Sequence, residues 1–211
     1  MFKISMNDID RLFKAISEAD TLYLPIERGE QIEFYAYDEE AKVRLDALHT
    51  VKSAKDAFLP NCETMMKFKV EGKNIEVEET ARVEEEFVIF GVRACDARSF
   101  SILDKVYLSD PVDTFYAARR EHGVVVSMAC NRPEETCFCN KFDIDATKPE
   151  GDVVTWIVGD ELFWEAQTEK GEALTEKVKS VLTDADSAAV DRQREEVKAI
   201  MDKLPLNSMD M

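Results

Sequence analysis

One stretch decides the fold, residues 87–139, which reads FVIFGVRACDARSFSILDKVYLSDPVDTFYAARREHGVVVSMACNRPEETCFC. It opens on the apolar run 87–92, and Cys95 follows just before an amphipathic segment. That order predicts a strand, a sharp turn and a helix. A second helical segment, 111–122, ends at a glycine and leads into the apolar run 124–128. We therefore expect two neighbouring strands joined by a helical crossover, and a crossover of this length is typical of a parallel pair.

Both predicted strands deliver a cysteine at their ends. Cys95 follows the first strand and Cys130 the second, and a polar loop then leads to Cys137 and Cys139, which only one residue separates. Four of the five cysteines of the chain thus lie in this stretch. We expect their thiols to converge on one corner that is built by loops.

The spacing of these cysteines limits the kinds of metal site that they could form. Between successive cysteines lie 34, six and one residues. Structural zinc sites use paired knuckles such as C-x2-C, and bacterial ferredoxins use C-x2-C-x2-C, so this spacing matches neither. Thiolates still favour an iron–sulfur cluster or zinc. A cluster is bulkier than one ion and tolerates ligands from two strand ends and a loop, and the helix after Cys95 would stabilise its negative charge. We interpret Cys62 as an ordinary small apolar residue.

Charge and composition exclude several partners. The 211 residues carry 44 acidic and 27 basic side chains, a formal charge of −17, which argues against nucleic acid or an anionic membrane as the partner. The window 93–141 is neutral, with seven charges of each sign. The first twenty residues are too charged for a signal peptide, and no apolar run reaches the ~18 residues of a membrane span. We expect a cytoplasmic protein, where an odd number of cysteines indicates metal or redox chemistry rather than disulfides.

The rest of the chain is interpreted as scaffold. Alternating patterns predict hairpins over 22–37 and 153–166, the second turning at Gly159-Asp160, and helices over 169–182 and 185–204. The fold class is mixed α/β, a single domain with a central sheet flanked by helices and a C-terminal helical connector. We place the domain at 1–183 and the connector at 184–211.

Two further expectations concern apolar residues of this scaffold. The last helix carries a thin stripe of five apolar residues, which is typical of a connector or docking segment. Met65 and Met66 are expected to fill gaps in the core.

At the cysteines the sequence resembles a known family. The shared motifs are ACD at 94–96, LDKVYL at 103–108, ARREH at 118–122, ACNRPEETCFC at 129–139 and FLPNCE at 58–63. They resemble the amino-terminal half of 4Fe-4S dicluster domain proteins, which include the beta subunit of sulfhydrogenases and the A subunit of anaerobic sulfite reductases. The resemblance implies one [4Fe-4S] cluster on Cys95, Cys130, Cys137 and Cys139.

The resemblance also implies partners. Members of this family pass electrons within larger flavin, hydrogenase or reductase assemblies of anaerobic metabolism, and they continue into a ferredoxin-type module with two clusters. This sequence has no C-x2-C-x2-C run. We therefore expect that it is a fragment, or that the module lies on another chain.

The expected role is electron transfer, and no catalytic acid, base or nucleophile is predicted. Arg93, Arg98 and Arg132 are assigned an electrostatic role, because positive charge near an anionic cluster raises its potential. The alternative is a structural module that docks partners and holds zinc or no metal. A third hypothesis, an enzyme with a cysteine nucleophile and His122 as its base, has less support, because a histidine at a helix end commonly stabilises the last carbonyls.

Overall fold

Two fully buried strands form the centre of the protein in the computed structural model, which describes residues 1–79 and 85–208. They are Phe87–Val92 and Gly123–Met128, and every residue in both is buried. A continuous apolar run is what a strand needs when helices cover both faces of the sheet. The two strands pair in parallel, which confirms the predicted crossover.

The remaining elements are numbered in chain order. The strands are β1 (Phe2–Ser5), β2 (Thr21–Arg28), β3 (Gln31–Ala36), β4 (Met66–Glu71), β5 (Asn74–Glu79), β6 (Phe87–Val92), β7 (Gly123–Met128), β8 (Val153–Val158), β9 (Glu161–Ala166) and β10 (Thr183–Asp184). The helices are α1 (Ile9–Ser17), α2 (Ala94–Tyr107), α3 (Thr114–His122), α4 (Glu169–Val178) and α5 (Ala188–Met201).

Eight strands make one mixed sheet in the order β10-β1-β9-β8-β7-β6-β2-β3. The four adjacent strands β8, β7, β6 and β2 are parallel to one another. On either side of these four, β9 pairs antiparallel with β8, and β3 pairs antiparallel with β2. Both predicted hairpins are therefore present. The parallel set brings the carboxyl ends of β6 and β7 to one edge of the sheet, which is where ligand sites of such sheets lie.

Helices cover both faces of the sheet. On one face α1 and α4 pack on side chains such as Val88 and Val124. On the other face α2 and α3 pack on Ile89 and Val125, and α5 contacts the part formed by β8 and β9. The neighbouring valines of β7 point to opposite faces, as the two-residue period of a strand requires. The predicted mixed α/β class, with a central sheet between helices, is confirmed.

β4 and β5 form a separate two-stranded ribbon. Its apolar side chains share one face and are exposed, among them Phe68, which is 70% accessible. Met65 and Met66 are also more than half exposed, so the expectation that they fill gaps in the core is wrong. The physical reason is that this segment leaves the main sheet, so no core surrounds it. The acidic segment 71–86, whose sequence is typical of a short edge strand and a loop, includes residues 80–84, which lie outside the described residues.

The C-terminal helix packs on this fold. Four of its five stripe residues are buried and one, Ile200, is 45% exposed. The buried residues are Val190, Val197, Met201 and Leu204. Three of them, Val197, Met201 and Leu204, pack in one cluster with the three cysteines of the loop after β7. The boundary between 183 and 184 stays a prediction.

Of the helices in residues 1–79 and 85–208, none combines the length and apolar composition that crossing a bilayer requires.

Candidate functional site

Cys95 and Cys130 lie at adjacent strand ends. β6 ends at Val92 and α2 begins at Ala94, so Cys95 occupies the first turn of that helix. Cys130 comes two residues after β7, and its backbone N–H donates to the carbonyl of Ala146 at 2.8 Å. Because β6 and β7 are parallel neighbours, both cysteines reach the same edge of the sheet.

A bulge at Gly91 sets the direction in which the chain leaves β6. The strand register shifts between Phe90 and Val92, and Gly91 has a φ of +96°. A β-bulge bends its strand and re-aims the residues beyond it, and positive φ favours glycine. A side chain at this position would also meet the ring of Pro25 at 3.2 Å. The glycine thus allows the sharp turn that places Cys95 beside the end of β7.

The loop after Cys130 folds back on its own backbone. The N–H of Cys137 donates to the Glu134 carbonyl at 2.9 Å, and the N–H of Ile144 donates to the Cys139 carbonyl at 3.1 Å. Cys130, Cys137 and Cys139 pack against one small apolar cluster, formed by Ala146, Val197, Met201 and Leu204. This cluster joins the cysteine loop to α5, and the side chain of Asn140 also donates to Asp202 at 3.3 Å.

The four thiols lie within electrostatic range of one another. Burial and the neighbouring thiolates of Cys95, Cys130 and Cys137 together raise the pKa of Cys139 to about 12. Burial and neighbouring thiolates also raise the pKa of Cys130. The side chain of Cys95 is exposed, and partial desolvation and the Asp96 carboxylate raise its pKa. Thiols whose ionisation is suppressed in this way are groups that a cation would convert to thiolates. The structure thus packs Cys130, Cys137 and Cys139 in one apolar cluster and places Cys95 at the adjacent strand end.

Backbone amides also point at the sulfurs. Burial raises the pKa values of Cys130 and Cys95, and hydrogen bonds from the N–H of Ala94 to Cys130 and from the N–H of Asp96 to Cys95 offset part of that rise. Both amides belong to the first turn of α2, where N–H groups have no partner within the helix. In the loop, the N–H of Glu134 donates to the sulfur of Cys137 at 3.3 Å. These amides favour negative charge at the corner.

Arg93 is a buried charged residue beside two of the thiols. Only 7% of its surface is exposed. Its guanidinium donates to the carbonyl of Leu45 at 2.6 Å, to that of Ala47 at 2.8 and 3.1 Å, and to that of Ala129 at 3.2 Å. Burial lowers the pKa of Arg93, while the thiolates of Cys130 and Cys95 favour its charged form. A cation is therefore held beside two of the four sulfurs.

The other two arginines are placed differently. Arg98 lies on the surface and pairs with Glu150 at 2.9 Å. Arg132 is exposed in the cysteine loop. His122, the base of the third hypothesis, ends α3 at the start of β7 and pairs with Glu86 at 3.0 Å. It therefore lies at the opposite end of β7 from Cys130, so the geometry gives no support to a cysteine–histidine pair.

Sequence reasoning missed the residues that hold Arg93. The acceptors are main-chain carbonyls of Leu45 and Ala47, which lie 46 to 48 positions away in the chain. Any residue type supplies a carbonyl, so no side-chain pattern could have indicated them. Cys62 is exposed, outside the cluster of four, whereas we had interpreted it as a small apolar residue.

Comparison with known proteins gives one informative similarity. No family model matches the chain. The chain is similar to sulfhydrogenase 2 subunit beta of Pyrococcus furiosus, with 29% identity over 178 residues. The aligned part covers 78% of this chain and 51% of that protein, so the chain spans about half the length of this curated relative. The similarity supports a distant relationship to a subunit of a redox enzyme.

The chemistry of the donor set fits an iron–sulfur cluster. Within residues 1–79 and 85–208, no group of three or more histidine, cysteine, aspartate or glutamate side chains has the geometry to hold a metal ion. A [4Fe-4S] cluster accepts one thiolate at each of its four irons. Soft thiols with backbone amides and a buried cation beside them are the type of donor that such a cluster uses.

Proposed function

We propose that this chain is an electron-transfer subunit or domain of a redox complex, and that Cys95, Cys130, Cys137 and Cys139 bind one [4Fe-4S] cluster. The observation that carries the proposal is the convergence of these four thiols at the carboxyl ends of β6 and β7. The similarity to a sulfhydrogenase beta subunit supports the redox class independently.

The chemistry that a bound cluster supplies is the transfer of single electrons. The residues of this chain hold the cluster and influence its reduction potential. The four thiolates bind the cluster, and the amides of Ala94 and Asp96 and the Arg93 side chain stabilise its negative charge. The contacts of α5 hold the cysteine loop in place. No proton transfer or covalent step is assigned to a residue.

The proposed partners are redox proteins: a ferredoxin-type module, a flavin-bearing subunit, or hydrogenase or reductase subunits. The relative is a sulfhydrogenase subunit, which supports this class of partner. We also propose an anaerobic, cytoplasmic setting, because free thiols and an oxygen-sensitive cofactor persist under reducing conditions.

The test is a series of cysteine-to-serine variants purified without oxygen. We expect the wild-type protein to be brown. One [4Fe-4S] cluster corresponds to about four iron atoms and four sulfides per chain. Serine at any of the four positions should lower the iron content sharply. Cys62→Ser is the matched control and should retain it, because Cys62 lies outside the group of four. Equal iron in all five variants would overturn the assignment.

A second candidate is a structural docking module that holds zinc or no metal. The exposed apolar face of the β4–β5 ribbon favours it, because soluble proteins rarely expose such faces without a contact. Its occupant would be another protein subunit of the same complex. Colourless protein with one zinc per chain, or with no metal at all, would support this candidate against the first.

A further inference from the structure

Arg93 is a buried cation without a carboxylate partner. In the part of the chain that the structure describes, it hydrogen-bonds backbone carbonyls and the side chain of Cys130, and it forms no ion pair with a carboxylate. The nearest carboxylate that acts on it is Asp46. That carboxylate is already paired with Arg44, through two hydrogen bonds of 2.8 and 2.9 Å. Arg93 therefore lacks the countercharge that a buried arginine normally has.

Burying the charge of Arg93 without a carboxylate partner destabilises the folded protein unless another negative group compensates the charge. A buried charge without a partner is strongly destabilising, and carbonyl dipoles offset only part of that cost. The guanidinium reaches the cysteine corner directly, because it donates to the carbonyl of Ala129 at 3.2 Å and hydrogen-bonds the side chain of Cys130. Negative charge at the cysteine corner would supply the missing partner.

We infer that Arg93 is a positioning residue whose fixed positive charge raises the reduction potential of the redox centre bound at Cys95 and Cys130. This inference rests on the proposed function. Reduction adds negative charge to the centre, and a nearby buried cation stabilises the reduced state more than the oxidised state. The structure thus separates Arg93 from Arg98 and Arg132, which the sequence had placed in one group.

The contacts of Arg93 explain why this charge stays in place. Its guanidinium joins the 45–47 segment to the end of β7, and its own backbone immediately precedes α2. The planar fork of an arginine can satisfy several carbonyls at once. The charge is therefore held rigidly on the protein side of the corner, away from solvent and salt.

The experiment measures the reduction potential of anaerobic wild-type protein and of three variants by redox titration, with iron determined on each sample. Arg93→Gln removes the charge, Arg93→Lys keeps it, and Arg98→Gln is the matched control, because it makes the same change at an exposed pair. We expect Arg93→Gln to shift the ratio of reduced to oxidised centre at a fixed potential at least about tenfold towards oxidised, which is a fall of about 59 mV for one electron. Arg93→Lys and Arg98→Gln should stay near the wild-type value.

Every other result of this experiment either supports or contradicts the inference about Arg93. If Arg93→Gln retains iron and the wild-type potential, the inference is wrong. If Arg93→Gln loses iron or fails to fold, the Arg93→Lys variant is decisive. Iron and a near-native potential in Arg93→Lys support the role of charge. Loss of iron or of folding in Arg93→Lys as well shows that only the packing of the arginine matters. Wild-type protein without iron overturns the proposed function itself, and with it this inference, before any variant is compared.

Discussion

Arg93 and Cys130 lie side by side at the ends of two adjacent strands, where the guanidinium donates at 3.2 Å to the carbonyl of Ala129, the residue before the cysteine. The contact ties the turn after β6 to the loop after β7. The geometry of the corner therefore depends on the sheet and on the segment around Leu45 as well as on the cysteines themselves.

The helix that carries Cys95 is braced by a polar network whose effect should depend on pH. Asp104 of α2 accepts two hydrogen bonds from Arg120, at 2.8 and 2.9 Å, and one from the hydroxyl of Tyr116 at 2.7 Å. Burial alone would raise the pKa of Asp104, but Arg120 and Tyr116 outweigh it and hold that pKa below its ordinary value of 3.8. We expect Asp104→Asn to lower the free energy of unfolding at pH 7 by about 2 kcal/mol.

The sign of the pH effect follows from the lowered pKa. The stabilisation by Asp104 is present above the pKa of the unfolded carboxyl and is lost as the pH falls through the folded pKa. Urea denaturation at pH 7 and pH 3 should therefore show the difference between wild type and Asp104→Asn shrinking in acid. Glu161→Gln, which breaks an exposed pair with Lys3, is the control and should change stability by less than about 0.5 kcal/mol. A difference that is constant with pH would contradict the network.

Gly91 should matter for the cysteine corner as well as for stability. Gly91→Ala places a methyl group 3.2 Å from the ring of Pro25 at a backbone φ of +96°. Backbone strain of this kind costs about 1 to 3 kcal/mol, and the bulge that aims Arg93 and Cys95 should shift. We expect lower stability in urea and a reduced iron content.

Gly159→Ala is the matched control for that variant. Gly159 also has positive φ, at +59°, but nothing lies within 4 Å of the added carbon. It should lose about 1 kcal/mol of stability and keep its iron. If both variants keep full iron, the bulge does not position the site.

The C-terminal helix should support the cysteine loop. Met201 is buried against Cys130, Cys137 and Cys139, whereas its neighbour Ile200 is exposed. Met201→Ala should cost about 2 to 5 kcal/mol and lower the iron content, and Ile200→Ala should change neither by much. Thermal unfolding and iron analysis measure both effects.

Removing residues 183–211 tests the same contact on a larger scale. If the C-terminal segment were only the connector that the sequence predicts, its loss would leave the fold and any metal intact. The buried positions of Val190 and Val197 predict instead that a chain ending at Leu182 unfolds at lower temperature and binds less iron. An unchanged midpoint and iron content would support the connector and the boundary at 183/184.

Local patterns were enough to predict most of the elements around the site. The apolar run of β6 and the glycine turn between β8 and β9 gave strand bounds that match the structure, because burial and turn chemistry are local signals. The parallel pairing of β6 and β7 followed from the length of the crossover. The approach of Cys95 to Cys130 followed in turn from that pairing.

Non-local features could not be predicted in this way. The position of β1 between β9 and β10 depends on pairing across most of the chain, which no short window records. The apolar residues of the ribbon, such as Phe68, have the pattern of a half-buried strand, and only tertiary structure shows that the ribbon leaves the sheet. The thin stripe on α5 was too short to distinguish a connector from a helix that packs on the cysteine loop.

The central claim is tested most directly by metal and sulfide analysis of wild-type protein purified without oxygen, combined with electron paramagnetic resonance before and after reduction. The account predicts about four irons and four sulfides per chain and a signal that appears only on reduction, as expected for one [4Fe-4S] cluster. Stoichiometric zinc without iron, in colourless protein that gives no signal, would contradict it.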